Sequence, residues 1–243
     1  MGSPRPTVAI VTDTVTYALR DNVATISLDD GKANALSFEL IGAIHTHLDQ
    51  AASDGAGAVL IAGRPGMFSG GFDLAVMRSG DAAATGKLVT EGAELILRLY
   101  SSAVPVVAAC TGHAVAAGAF MLMGAHHRIG AEGEFRIVLI ETQIGMVLPD
   151  WAVELTMHRL APPHAERAAV EAFVYDPSTA VAAGFLDRVV PAADAVDAAF
   201  AEAVRLASLP ARAYAGNAAK VRAAGIDRVK AALDRDRRGL LPG

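Results

Sequence analysis

The sequence predicts an α/β fold followed by a helical C-terminal region, and three observations carry that expectation. Short apolar runs bounded by glycine or proline recur through the first 130 residues, as at Ala58–Ala62 and Val104–Cys110. Between them lie stripes of apolar residues at helical spacing, and strands alternating with helices indicate packed α/β layers. After Pro149 the pattern becomes almost wholly helical. A chain of 243 residues, 53% hydrophobic with a formal net charge of −5, has ample apolar surface for a packed core and is not a disordered chain. At about 150 residues per domain it forms one large domain or two small ones.

Met1–Pro6 reads as a loose terminus. Val15–Leu19 and Val23–Leu28 are β-rich and separated by Arg20-Asp21-Asn22, the polar turn of a hairpin. Ser37 then stands as an N-cap before Phe38, Leu40, Ile41, Ile44 and Leu48, one apolar helix face. Ala58–Ala62 is a buried strand. Thr85–Tyr100 carries Leu88, Leu95, Ile96 and Leu99 and reads as a second amphipathic helix, followed by a strand over Val104–Cys110. Pro149 suits the first position of a helix. Helices are expected at Trp151–Leu160, Pro163–Ala172, Ser178–Ala183, Asp194–Ala207 and Ala211–Arg238, the last interrupted at Gly225, with Gly184–Val190 extended.

Composition excludes several functions. Cys110 is the single cysteine, so neither an intramolecular disulfide nor a multi-cysteine metal site is expected. The acidic balance argues against a nucleic-acid partner. Ala114–Ala125, the longest apolar run, is too short for about 30 Å of hydrocarbon, and no signal-peptide pattern opens the chain, so a cytoplasmic protein without membrane partners is expected. No dinucleotide fingerprint or P-loop occurs, and Ser69 lacks the first glycine of a nucleophile elbow. His45 and His47, and the adjacent His126 and His127, are spaced to face apart, and no metal site is assigned. The segment from Lys220 to the end carries seven basic and three acidic residues. It is read either as a solvated helix face or as a dock for a phosphorylated ligand.

Two segments invite chemistry. Gly63–Leu74 (GRPGMFSGGFDL) follows a buried strand with four glycines, leaving backbone N–H groups open to a ligand, or is simply a tight surface loop. Cys110–Leu122 (CTGHAVAAGAFML) ends a strand and starts a helix near Ala117-Gly118 behind small residues. That helix start suits a developing oxyanion, or only close helix–strand packing. Two such junctions, each offering one N–H, are what a two-donor oxyanion hole requires.

These segments resemble the signatures of the enoyl-CoA hydratase/isomerase (crotonase) family. Phe68-Ser69-Gly70-Gly71-Phe72-Asp73 is similar to its F-[SA]-x-G-x-D motif, and Thr111–Gly118 to its N-G-x-A-x-G-G-G motif. Lys32-Ala33-Asn34-Ala35-Leu36 resembles the segment beside bound coenzyme A, and Ala182–Pro191 the G-L-[VI]-D-x-V tail motif. The resemblance implies a spiral of ββα turns over residues 1–190, a helical oligomerisation region over 191–243, and a homotrimer or hexamer acting in fatty-acid metabolism. It implies backbone donors at Gly70 and Ala117 that stabilise a thioester enolate. Lys32, Ala33, Ala35, Leu36, Ser69, Gly71, Phe72, Asp73, Gly118 and Phe120 would contact the acyl-CoA. Coenzyme A enters as part of the substrate, with no separate cofactor.

The carboxylates depart from the family's hydratases, which hold the attacking water between two glutamates. Phe120 occupies the first position and Glu141 the second, with Asp150 a further carboxylate expected to cap a helix. One carboxylate can move a proton between two carbons, whereas orienting a water usually needs a second group. The expectation is therefore isomerase-type chemistry with Glu141 as the proton carrier, hydration remaining possible. The alternative is a non-catalytic protein that binds acyl-CoA thioesters.

Overall fold

The computed structural model describes residues 14–240; the Met1–Pro6 terminus lies outside them. The strands are β1 (Val15–Arg20), β2 (Val23–Leu28), β3 (Ala58–Ala62), β4 (Gly66–Ser69), β5 (Val106–Cys110), β6 (Gly112–Val115), β7 (His127–Ala131), β8 (Ile137–Val138) and β9 (Arg188–Val190). They form a six-stranded sheet ordered β1-β2-β3-β5-β7-β9 and a three-stranded sheet ordered β4-β6-β8. Only β1 and β2 pair antiparallel; every other neighbouring pair of strands is parallel. The helices are α1 (Phe38–Ser53), α2 (Leu74–Met77), α3 (Ala82–Tyr100), α4 (Ala117–Gly124), α5 (Asp150–Arg159), α6 (Pro162–Ala169), α7 (Pro177–Ala183), α8 (Ala195–Ala207) and α9 (Ala211–Arg235).

Strand pairs β3–β4, β5–β6 and β7–β8 each place one strand in each sheet before the chain turns away, the first two into helices. This is the spiral of ββα turns that the resemblance implied. The central strands are buried on both faces, which is why AVLIA and VVAAC read as unbroken apolar runs. One face, including Val59, Ile61, Val106 and Ala108, joins the main core. The other, with Leu60, Ala62, Val107 and Ala109, is covered by Ala199 and Ala203 of α8. The small alanine face of α8 therefore closes its own sheet and does not wait for a partner.

Three local expectations change. Gly66–Ser69 and Gly112–Val115, read as loops, are the paired strands β4 and β6. Pro149 sits one residue ahead of α5, as its N-cap. Helix α9 runs unbroken through Gly225, where a Cβ would come within 2.7 Å of the Tyr100 hydroxyl. That glycine allows close packing and interrupts nothing.

Candidate active site

The first wall is built by two loops laid side by side. Asp30 accepts the N–H groups of Lys32, Asn34 and Ala35, bending the segment before α1. Burial acts to raise the Asp30 carboxyl, but these backbone donors outweigh it and hold the group below its ordinary value. Asn34, fully buried, donates its amide to the carbonyls of Leu28 at 3.0 Å and Phe68 at 3.2 Å. Ser69 donates its hydroxyl to Asn34 O at 2.8 Å. The end of β4 is thus clamped on the loop before α1. Asn34 was not anticipated as a site-building residue, although a buried asparagine between two ligand-loop segments was its signal.

This clamp decides which N–H groups remain open. Gly70 N–H donates to Ala33 O at 2.7 Å, so Gly70 is not the free donor expected of it. Leu36 N–H donates to Gly71 O at 2.8 Å and Asp73 N–H to Leu36 O at 3.2 Å, a single parallel bridge between Leu36 and Phe72. In such a bridge the flanked residue, Phe72, turns its own N–H away from the partner segment. The switch occurs at Gly71, whose φ of +96° is open to glycine. Among the described residues the Phe72 N–H has no acceptor, and it replaces Gly70 as the open group of this loop.

The second wall is the start of α4. Ala116, with φ +50°, leaves β6 and turns into the helix; its carbonyl accepts from Ala119 and Phe120. The first-turn N–H of Ala117 has no acceptor among the described residues, as a helix start leaves it. A Cβ built on Gly71 would lie 3.4 Å from the Ala117 nitrogen, so the two loops face each other closely. Gly118 lies against β4, where a Cβ would come within 2.3 Å of Ser69 O. Leu36 and Ser69 are fully buried and, with Gly118, do not line the cavity between the walls; they were expected to touch acyl-CoA and instead build the wall. Asp73 caps α2, accepting from Ala75 N–H at 2.8 Å. Lys32 is exposed, and Ala33 and Ala35 are half-buried beside it.

Between these walls opens a cavity of about 100 Å³ lined by Gly70, Phe72, Ala116, Phe120, Glu141 and Trp151, with Leu74, Met77, Ile144 and Val147 toward its mouth. Glu141 opens a 3₁₀ turn, Glu141–Ile144, that follows β8. One of its carboxylate oxygens, Oε2, is buried without a hydrogen-bond partner. Burial pushes its pKa up to about 7. Phe120 packs edge-to-face on Trp151, ring centroids 5.2 Å apart, and both are almost fully buried. Trp151 Nε1 is a second buried polar atom without a partner at this site.

Asp150 does not cap α5. Its carboxylate pairs with Arg235 at 2.9 Å, and Asp236 accepts the N–H groups of Asp150 at 3.3 Å and Trp151 at 3.1 Å. The histidines stay away from the cavity: His47 stacks on Tyr17, and His126 is held by Val106 N–H and Arg222. Cys110 is buried, which raises its thiol to about 12 and leaves it unreactive.

A sequence profile described as enoyl-CoA hydratase/isomerase matches residues 19–240. The chain belongs to the enoyl-CoA hydratase/isomerase family. An enoyl-CoA hydratase/isomerase family protein from Pseudomonas syringae shares 43% identity with a TM-score of 0.91, covering 95% of this chain and 99% of that one. A Mycobacterium tuberculosis protein, described as an enoyl-CoA isomerase in its apo structure and as a probable enoyl-CoA hydratase in another, shares 36% identity in the apo form with a TM-score of 0.89 over 94% of this chain and 99% of that one. The human mitochondrial enoyl-CoA delta isomerase 1 is 29% identical over 88% of this chain and 72% of its own length. The match spans 60% of the rat and mouse counterparts. As a member of this family the chain is an enzyme with a crotonase fold, and none of its described helices is long and apolar enough to cross a membrane.

Proposed function

We propose that the enzyme moves the double bond of a 3-enoyl-CoA to the 2-position, with Glu141 carrying the proton and the N–H groups of Phe72 and Ala117 binding the thioester oxygen. The observation that carries this reading is the solitary carboxylate. Among the described residues Glu141 is the one acid or base lining the cavity, raised to about 7 by burial, and Phe120 lines the same cavity with an aromatic ring. Ionised Glu141 takes a proton from C2, and the electron pair delocalises through the adjacent carbonyl onto the thioester oxygen and through the C3–C4 double bond onto C4. The protonated glutamic acid then returns that proton to C4, leaving the double bond between C2 and C3. The two backbone donors stabilise the oxygen as its charge develops. A group whose pKa lies near the working pH serves both half-steps, because it is neither too weak a base nor too weak an acid.

Hydration asks more of the site, since a water must be oriented as well as deprotonated. Phe120 and Trp151 supply no acceptor for it. The relatives named as delta isomerases support the same choice. Coenzyme A enters as part of the substrate, and exposed Lys32 and the basic end of α9 suit its phosphates. A trimer-based assembly fits the apolar surface left on α9 and at the ends of α6 and α8, including Val221, Val170 and Leu209. We place the enzyme in the cytoplasm. Steady-state assays with a 3-enoyl-CoA and crotonyl-CoA side by side test the reading. Isomerisation should exceed hydration by about 10²-fold or more, the usual worth of one general acid/base. Comparable hydration would overturn it, and thioester binding without turnover would make the chain a binding protein.

A further inference from the structure

Helix α4 has eight residues, AGAFMLMG, all buried, and so cannot satisfy its own ends with side chains. Its length is about 12 Å. On so short a helix the partial negative charge of the last carbonyls opposes the partial positive charge offered at the first N–H groups. The last residue of the neighbouring helix α5 meets those carbonyls. Arg159 Nε donates to Met123 O at 2.8 Å and Nη2 to Ala125 O at 2.7 Å. Among the described residues, its hydrogen bonds go to these two carbonyls alone. The guanidinium also lies over the Tyr100 ring, 5.5 Å from its centroid. Burial, and then the nearby Arg128, lower its pKa to about 9, which still leaves it charged at neutral pH. The opposite end of α5 places Trp151 on Phe120 near the start of α4. One helix thus holds the other at both ends.

We propose that Arg159 is a positioning residue for the reaction, cancelling the negative end of α4 so that its N-terminal end pulls more strongly on the thioester oxygen. The inference rests on the reading of the Ala117 N–H as a thioester donor. It gives a distal residue, outside the cavity, a part in stabilising the enolate.

The test pairs Arg159→Gln, which keeps donors but loses the charge, with Arg159→Lys, which keeps the charge. Each is assayed for 3-enoyl-CoA isomerisation, for thermal stability, and for the absorbance of a bound aryl-conjugated enoyl-CoA, whose band moves to longer wavelength as its carbonyl is polarised. Arg159→Gln should lower kcat about tenfold with KM within about twofold and shrink the band shift, the size of effect expected of a partly buried charge at a helix end. Arg159→Lys should restore most of both. A loss of thermal stability with kcat and band shift unchanged would make Arg159 a structural clamp and overturn the proposal, as would a lysine variant no better than the glutamine one. Arg159→Met, which keeps the apolar stem over Tyr100, replaces Arg159→Gln if the latter does not fold. A wild-type enzyme that leaves the band unmoved would refute the thioester site itself, a failure visible before any variant is made.

Discussion

Glu141 and Asp187 are both carboxylates drawn partly out of water, yet their surroundings drive them in opposite directions. Asp187 receives Arg128 three times: its backbone N–H at 2.7 Å, Nε at 3.0 Å and Nη2 at 2.8 Å. Burial acts to raise Asp187, but this pairing outweighs it and holds the group below its ordinary value. Glu141 has no such partner, and one oxygen stays buried and unpaired. Burial alone does not mark a reactive carboxylate. What separates the two is whether the fold brings a cation to meet it: the strand that carries Arg128 does so for Asp187, while the turn that carries Glu141 leaves the group unpaired, as the proposed mechanism requires.

The sharpest way to break this contrast is to neutralise each group in turn. Glu141→Gln should reduce isomerisation about 10²–10⁴-fold while calorimetry still records binding of a saturated acyl-CoA. Activity that survives this change would return the proton to another group. Asp187→Ala should leave the activity of the folded enzyme near wild type but cost about 3 kcal/mol in urea unfolding, since Arg128 would stay buried and unpaired.

pH should separate the same two groups by sign. The raised group, Glu141, binds its proton more tightly when folded, so its contribution is complete below about pH 4.3 and is lost as the pH rises toward about 7. Asp187 is lowered, so its contribution is present above about pH 3.9 and is lost as the pH falls. Thermal melts across pH should therefore flatten on the neutral side in Glu141→Gln and on the acid side in Asp187→Asn. In the wild type, kcat/KM should rise with pH to a plateau with a midpoint at about 7.

The two aspartates at the start of α5 sharpen the comparison at a smaller scale. Asp236→Ala removes a cap and should cost about 1 kcal/mol. Asp150→Asn breaks only a half-exposed pair with Arg235 and should change stability by no more than about 0.5 kcal/mol, with activity nearly unchanged.

Much of the frame was legible because burial writes itself into short runs: AVLIA and VVAAC are apolar on both faces, and the helix faces of α1 and α3 repeat at the right spacing. The small sheet was not legible, because β8 has two residues and β4 finds its partner only when Gly66 meets Gly112 across the fold. Ala117 could be read from a strand running into a helix. Phe72 could not, because its freedom depends on the φ of Gly71 and on Leu36 arriving alongside. The same holds for Asp236, whose place on the first turn of α5 is set by the whole course of α9.

The Phe120–Trp151 stack also constrains how this enzyme can change. A glutamate at position 120 would be a second carboxylate on the same apolar cavity as Glu141, pressed on an indole and drawn out of water. Shrinking Trp151 first would leave a hole that costs about 3–5 kcal/mol before any new chemistry is gained. Each single step is unfavourable on its own. Along a mutational path the pair is coupled: replacing either ring removes the other's edge-to-face partner, so the effect of one change depends on the state of the other helix.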